Sequence, residues 1–290
     1  MVKPKLLISA CLEFEKVRYN GQSIPSETVR ALSPFVEFIK VCPEFEIGLG
    51  VPREPIRIVK KGGEYRLIQH NTNLDVTDAM NGFSEKFIKN LGSVDGFIFK
   101  SKSPTMGVKN IKVYSGMKGS PVVERCGGFF ASAISEKYAG YPIEEEDRLR
   151  NRQIRDHFLT KLFLFARYRD AKDKGALEEF HRANELLINF YRGNKAVELN
   201  FRDKGYFEML KEITEKPPSY REIADFFRKI IGDNEILERY LNNKVGFEAL
   251  KEVSKLLISD KSLLEQTFYE PYPKLLIENA EPDREKDYWK

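Results

Sequence analysis

Lys5-Leu6-Leu7-Ile8-Ser9-Ala10-Cys11-Leu12 is an apolar run that passes through two small residues and ends at a thiol. A short run of this kind, bounded by loop residues, suits a strand buried on both faces, as in parallel sheets. Lys3 and Lys5 beside it give a passing likeness to a signal peptide. The apolar stretch is too short for that purpose and meets Cys11 with no cleavage pattern. Leu6–Ala10 therefore reads as a first buried strand. Working outward, Val94–Phe99 and Ile111–Tyr114 read as further strands, and Ser26–Lys40 and Asn81–Leu91 as helices, with Gly and Pro between them. This rhythm predicts an α/β domain, Rossmann-like with a mostly parallel sheet, whose strand C-termini carry the site.

The texture changes after Gly140-Tyr141-Pro142. Glu144 to Arg155 is a dense charge run and reads as a solvated linker and helix start. Beyond it, helical spacing recurs at His157–Arg169, Ala176–Tyr191, Tyr206–Lys216, Tyr220–Ile231 and Asn234–Ser259, with Pro217-Pro218 and Gly232-Asp233 as breakers. The expected organisation is an α/β domain over residues 1–150 and an all-α helical bundle over 151–290, with a partly extended tail after Pro273.

A chain of 290 residues suits two domains, and 41% hydrophobic with 32% charged residues places it among globular rather than disordered proteins. No apolar run approaches the roughly 18 residues of a membrane span, so a cytoplasmic protein without membrane contact is expected. The net charge of +4 is uneven: residues 1–150 carry 22 Lys+Arg against 18 Asp+Glu, and residues 151–290 carry 26 of each. The excess suits an anionic substrate but is too small to mark a nucleic-acid partner by itself.

Cys11, Cys42 and Cys126 are the three cysteines of the chain. An odd number in a cytoplasmic protein argues against a disulfide framework. One reading is three unrelated buried thiols, since free Cys packs as a small hydrophobe. The other starts from their context, because each stands at an expected loop edge of the α/β domain. Cys11 ends a strand, Cys42 precedes Pro43-Glu44, and Cys126 precedes Gly127-Gly128. There is no CxxC pair for a zinc ribbon, and no three closely spaced cysteines of the radical-enzyme kind. Three soft thiolates without a fourth suggest an iron–sulfur cluster with one open iron, a Lewis acid suited to a substrate's own soft atom.

The ordered motifs Ile8-Ser9-Ala10-Cys11-Leu12, Val17-Arg18-Tyr19-Asn20-Gly21, Cys42-Pro43-Glu44 and Gly48-Leu49-Gly50-Val51-Pro52-Arg53 resemble the thiouracil desulfidase (TudS) family. Asp75-Val76-Thr77, Lys100-Ser101-Lys102-Ser103-Pro104 and Val113-Tyr114 continue the resemblance, which covers roughly residues 5–140. The second half resembles the helical YbgA-like module through Glu144–Leu149, Phe180-His181, Glu185-Leu186-Leu187, and Gln266 with Pro271-Tyr272-Pro273. Chains with both modules resemble the RudS type, for which the resemblance implies removal of sulfur from 4-thiouridine in tRNA. It also implies a [4Fe-4S] cluster on three cysteines, with the substrate sulfur on the open iron. The family commonly has Ser-Pro-Ser-Cys-Gly where this chain reads Ser103-Pro104-Thr105-Met106-Gly107. Cys126 is the cysteine left to fill the third place.

The expected ligands are thus Cys11, Cys42 and Cys126. Glu44, two residues from a ligand in a Pro-fixed turn, is the expected general acid/base, with a turn-capping surface Glu as the plainer reading. Glu46 and Glu54 lack the same motif support. Ser101 and Ser103 are expected to orient that base or a water, against ordinary turn chemistry. Arg18, Arg53, Lys100 and Lys102 are candidate contacts for a phosphate or the uracil carbonyl, and surface solvation suits each equally. His181 reads as a packed residue, and His70 and His157 carry no motif. Tyr168, Arg167, Arg169, Tyr191 and Arg192 mix basic and aromatic groups at helical spacing, as an RNA-stacking face or as amphipathic packing.

Three functions compete. The first is non-redox, [4Fe-4S]-dependent desulfuration of 4-thiouridine in tRNA, giving uridine and sulfide. The second is a desulfidase of free thiouracil or another small thio-compound, and the third is a cluster-free RNA-binding module. The sequence leaves the oligomeric state open.

Overall fold

The computed structural model describes residues 2–193, 200–219 and 222, which fall into two compact units divided after Arg150. The first unit is α/β. Its central sheet contains β1 (Lys5–Ser9), β2 (Glu37–Val41), β5 (Gly96–Phe99) and β8 (Ile143–Glu145) in the order β2-β1-β5-β8. All three pairings are parallel. Leu6, Leu7 and Ile8 of β1 and Phe97, Ile98 and Phe99 of β5 are fully buried. This explains why both strands read as continuous apolar runs rather than as alternations.

The stretch expected as one helix over Ser26–Lys40 is two elements. Helix α1 (Glu27–Leu32) starts on the Ser26 cap and is followed by β2 from Glu37. Pro34 is the physical reason. It has no N–H to carry the helix on past Ser33, and beyond it Glu37-Phe38-Ile39-Lys40-Val41 aligns residue for residue with β1. The charge run at Glu144 is likewise not a solvated linker. Ile143–Glu145 forms β8, and Glu145 and Glu146 are 7% and 6% exposed.

A second sheet was not expected. It orders as β4-β3-β6-β7 and contains β3 (Ile56–Lys61), β4 (Glu64–Gln69), β6 (Ile111–Tyr114) and β7 (Val122–Cys126). Ile111–Tyr114 is a strand, but its partners lie in this mixed sheet. It pairs parallel with β3 and antiparallel with β7. The β3–β4 hairpin turns on Gly62-Gly63, both at positive φ (61° and 88°), where a side chain would be strained.

Helices α2 (Pro43–Glu46), α3 (Thr77–Asn90) and α4 (Phe129–Lys137) complete this unit. Phe83 and Phe87 of α3 meet Phe130 of α4 at centroid distances of 5.9 and 5.4 Å. Phe130 is fully buried, in one core with Leu7, Phe97 and Phe99 of the central sheet and Ile58 and Val113 of the second.

The second unit is helical where it is described. It contains α5 (Arg152–Lys174), α6 (Leu177–Arg192) and α7 (Tyr206–Ile213). Asn151 caps α5 by accepting from the Ile154 N–H at 3.1 Å. The expected helices over 157–169, 176–191 and 206–216 correspond to these three. Those over 220–231 and 234–259, and the tail after Pro273, lie outside the described residues. No described helix is long and apolar enough to cross a membrane.

Because Phe130 joins both sheets and α3, Phe130→Ala should lower unfolding free energy by about 3–5 kcal/mol. Urea denaturation of the full chain, followed by tryptophan-independent far-UV circular dichroism, checks this.

Candidate active site

Parallel pairing puts the C-terminal ends of β1, β2, β5 and β8 along one edge of the central sheet, the edge where open α/β sheets carry their sites. Ser9 is the register partner of Val41, and the Ala10 N–H donates to the Val41 carbonyl at 2.8 Å. Cys11 and Cys42 therefore leave neighbouring strand ends side by side. Burial pushes the Cys11 thiol up to about 12; Cys42 adds to the rise, while Lys100 and Arg18 oppose it. Burial also raises the Cys42 thiol, against the opposing effects of the Phe45 N–H and Arg53.

Cys42 is the N-cap of α2, with Pro43 in the first turn, and Glu44 follows. One Glu44 oxygen, Oε2, accepts from Arg53 Nε and Nη2 at 2.9 and 2.7 Å. The other, Oε1, accepts from Thr105 Oγ1 at 2.9 Å. Glu44 is thus held as an acceptor on both oxygens, with lone-pair capacity left to take a proton. Thr105 is fully buried and was missed in the sequence, where it looked like an ordinary turn residue.

Ser103 sets Thr105 in place. Its hydroxyl lies 3.0 Å from Thr105 Oγ1 and accepts from the Thr105 and Met106 N–H groups at 3.3 and 3.1 Å. Gly128 backs the same turn, and a Cβ there would come within 2.7 Å of the Thr105 carbonyl. Glu145 holds the far end of the turn by accepting from the Val108 N–H at 2.7 Å, and burial raises its carboxyl.

Arg53, expected to contact substrate, is instead an internal clamp. Its side chain is 3% exposed and also donates to the Val17 and Gly50 carbonyls at 2.9 and 3.0 Å, with Nη2 3.8 Å from Cys42 Sγ. Ser101 does not reach Glu44 through any described hydrogen bond. Its hydroxyl is committed to Asp147 at 2.6 Å, with Glu146 and Lys100 close by. Lys100 pairs with Glu146, a residue that the sequence reading placed in solvent. Arg18 lies 5.4 Å over the Tyr19 ring and acts on the Cys11 thiol. Lys102 is a surface residue, its side chain 89% exposed.

Cys126 is held elsewhere. It ends β7 as the register partner of Ile111, on the core-facing side of the second sheet. A three-thiolate iron–sulfur centre needs three sulfurs in one place. Cys11 and Cys42 come together and Cys126 does not join them; Met106 is buried in the core. Among the described residues no group of three or more His, Cys, Asp or Glu could hold a metal ion. This donor set does not fit a cluster on three cysteines.

The helical unit offers no aromatic platform from its expected members. Tyr168 and Tyr191 are 8% and 9% exposed, and Tyr168 stacks on Phe207 at 4.6 Å inside the bundle. Packing consumes these rings, as amphipathic spacing also allowed. His157 pairs with Tyr191 at 3.0 Å and is driven down to about 3 by burial, while His181 pairs with Tyr206 at 2.7 Å. His70 contacts Asn71 in an exposed turn.

The family model for 2-thiouracil desulfurase matches residues 6–146, within the first unit. Fold and match together define that unit as a desulfurase-type enzyme domain. Among individual relatives, a Bacillus subtilis (strain 168) protein described as uncharacterized protein YbbK is 28% identical over 153 residues, which is 50% of this chain and 97% of that protein. A solved [4Fe-4S]-dependent thiouracil desulfidase, TudS, is 28% identical, covers 51% of this chain and 93% of its own, and superposes with a TM-score of 0.39.

Because no three-thiol group is gathered, Cys126→Ala should match the wild type in the iron and acid-labile sulfide retained after anaerobic reconstitution. Iron and sulfide assays on the two proteins check this, and a loss of iron in Cys126→Ala would return that residue to the centre.

Proposed function

We propose that the first unit removes sulfur from a thiolated uracil ring by a non-redox hydrolysis in which Glu44 moves the protons. The observation that carries this is the Glu44 carboxylate, fixed by Arg53 and Thr105 beside Cys42 at the C-terminal edge of the parallel sheet. The family match over this unit supports the substrate class.

The net reaction exchanges C=S and water for C=O and hydrogen sulfide, so no electrons are gained or lost. Glu44 takes a proton from water as the oxygen adds to the thiocarbonyl carbon and the C=S π pair moves onto sulfur. The carboxyl returns that proton to sulfur. It then takes the proton of the new hydroxyl as the C–S bond breaks and hydrosulfide leaves. A positioned acid/base group of this kind supplies about 10²–10⁴-fold. The [4Fe-4S] dependence belongs to the similar solved protein's own description, and the two thiols gathered here fall short of the three-cysteine set expected for it.

Within this reading, 4-thiouridine in tRNA and free thiouracil present the same thiocarbonyl. The tRNA substrate is supported by the two-unit organisation, with a helical unit standing beyond the matched desulfurase region. The helical unit is then the element that holds the RNA.

Anaerobically purified protein should release sulfide from 4-thiouracil and from tRNA carrying 4-thiouridine. Glu44→Gln should lower both rates by at least about two orders of magnitude. Absence of sulfide release from every thiolated uracil would sink the reading. A chain ending at Arg150 should keep its rate on free 4-thiouracil and lose most of its rate on tRNA. Full tRNA activity in that shortened chain would remove the helical unit from RNA recognition.

A further inference from the structure

The second sheet buries one face and sets cations on the other. Ile58 and Val113, register partners in β3 and β6, are fully buried on the core face. Side chains alternate along a strand, so Arg57 and Lys112, one residue earlier in each, lie on the opposite face. Arg125 of β7 is the register partner of Lys112 and extends the row. Three cations thus stand side by side on three adjacent strands, with about 4.8 Å between one strand and the next. Lys112 and Arg125 are exposed, and Arg57 is half-buried.

The hairpin side of the same face is balanced. Lys61 stands opposite Glu64, and Arg66 donates to Asp75 at 2.8 Å with Asp78 at 3.7 Å. Among the described ion pairs none takes Arg57, Lys112 or Arg125; carbonyls hold the two guanidiniums instead. Arg57 donates to the Met117 carbonyl at 3.1 Å and Arg125 to that of Asn110 at 2.9 Å. Arg57 also lies 4.4 Å over the Tyr114 ring. These contacts fix where the charges stand without neutralising them. Like charges directly opposite on neighbouring strands, as Lys112 and Arg125 are, cost stability. An anion outside the fold would offset that cost.

We propose that this face binds the phosphate backbone of RNA through Arg57, Lys112 and Arg125. It rests on the reading of a tRNA substrate and adds to it an RNA contact within the first unit, besides that of the helical unit. Cations spaced regularly on rigid strands suit a polymer of phosphates better than mobile lipid headgroups. The arginine over the tyrosine ring offers a surface on which a base can stack. Contacts of this kind position the RNA and carry no base specificity, so the binding is ionic and weakens with salt.

The test measures binding of an unmodified tRNA transcript to the full chain between about 50 and 200 mM salt. It compares the wild type with Lys112→Gln/Arg125→Gln, which removes both charges, and Lys112→Arg/Arg125→Lys, which keeps them. The neutral variant should bind about tenfold or more weakly at low salt, and its slope of log affinity against log salt should fall by about 2, one per lost contact. The charge-keeping variant should stay within about threefold of the wild type. Both should turn over free 4-thiouracil at the wild-type rate, since neither residue belongs to the Glu44 site. An unchanged slope in the neutral variant overturns the proposal, and so does an equal loss of affinity in the charge-keeping one. Phosphatidylserine vesicles form the other arm: vesicle binding lost in the neutral variant while tRNA binding persists assigns the face to lipid and overturns it too. A wild type that binds tRNA through this face yet releases no sulfide from 4-thiouridine upholds the face and sinks the desulfuration reading alone.

Discussion

Parallel hydrogen bonding of β1 between β2 and β5 is the constraint from which the rest of the first unit follows. It requires every connection to cross back over a sheet face, which buries both faces and leaves the C-terminal strand ends on one edge. Cys42, Lys100 and Glu146 follow directly on the ends of three such strands, and Cys11 stands two residues past the end of the fourth. Residues far apart in the chain become neighbours without any long side chain reaching across. The polar groups set there are then fixed by short local devices: a Pro-started helix at Glu44, a Ser–Thr turn at Thr105, and a backbone tie from Lys100 to Ser9.

Sequence legibility followed how each element is stabilised. β1 and β5 could be read because a strand buried on both faces must be apolar throughout, and α3, α5 and α6 because one helical face must be. β2 was absorbed into a helix because it is only five residues long, lies partly exposed and does not alternate, with Phe38 and Ile39 adjacent. The β3–β4 hairpin was overlooked for a similar reason, since Arg57, Lys60 and Arg66 break its apolar pattern. β8 was the hardest to read. Glu144, Glu145 and Glu146 look like solvent-facing charge until the partners that satisfy them, Arg148, Val108 and Lys100, are known. Arg148 is only four residues from Glu144, but Lys100 is distant and Val108 offers a backbone N–H, and no local pattern announces those two.

The site residues divide in the same way. Glu44 stood out from its position beside Cys42 and Pro43, and the structure adds the clamp around it. Arg53 was visible as a cation, but whether a guanidinium faces substrate or fills an interior depends on carbonyls such as those of Val17 and Gly50, which sequence does not display. The same limit applies to sulfur. Three cysteines at three loop edges suggested one centre, yet Cys126 ends a strand of the second sheet and no described group of three such side chains could hold a metal ion.

Gly128 lies two residues beyond Cys126 and touches no candidate reacting group, yet any side chain there would press on the carbonyl of Thr105. Thr105 is the sole partner of one Glu44 oxygen among the described hydrogen bonds. The glycine therefore answers to the seat of the Glu44 carboxylate as well as to the start of the helix it caps. Variation at this position in natural or laboratory populations would disturb both at once. An observer scanning for damaging changes by distance from the thiols would pass over it.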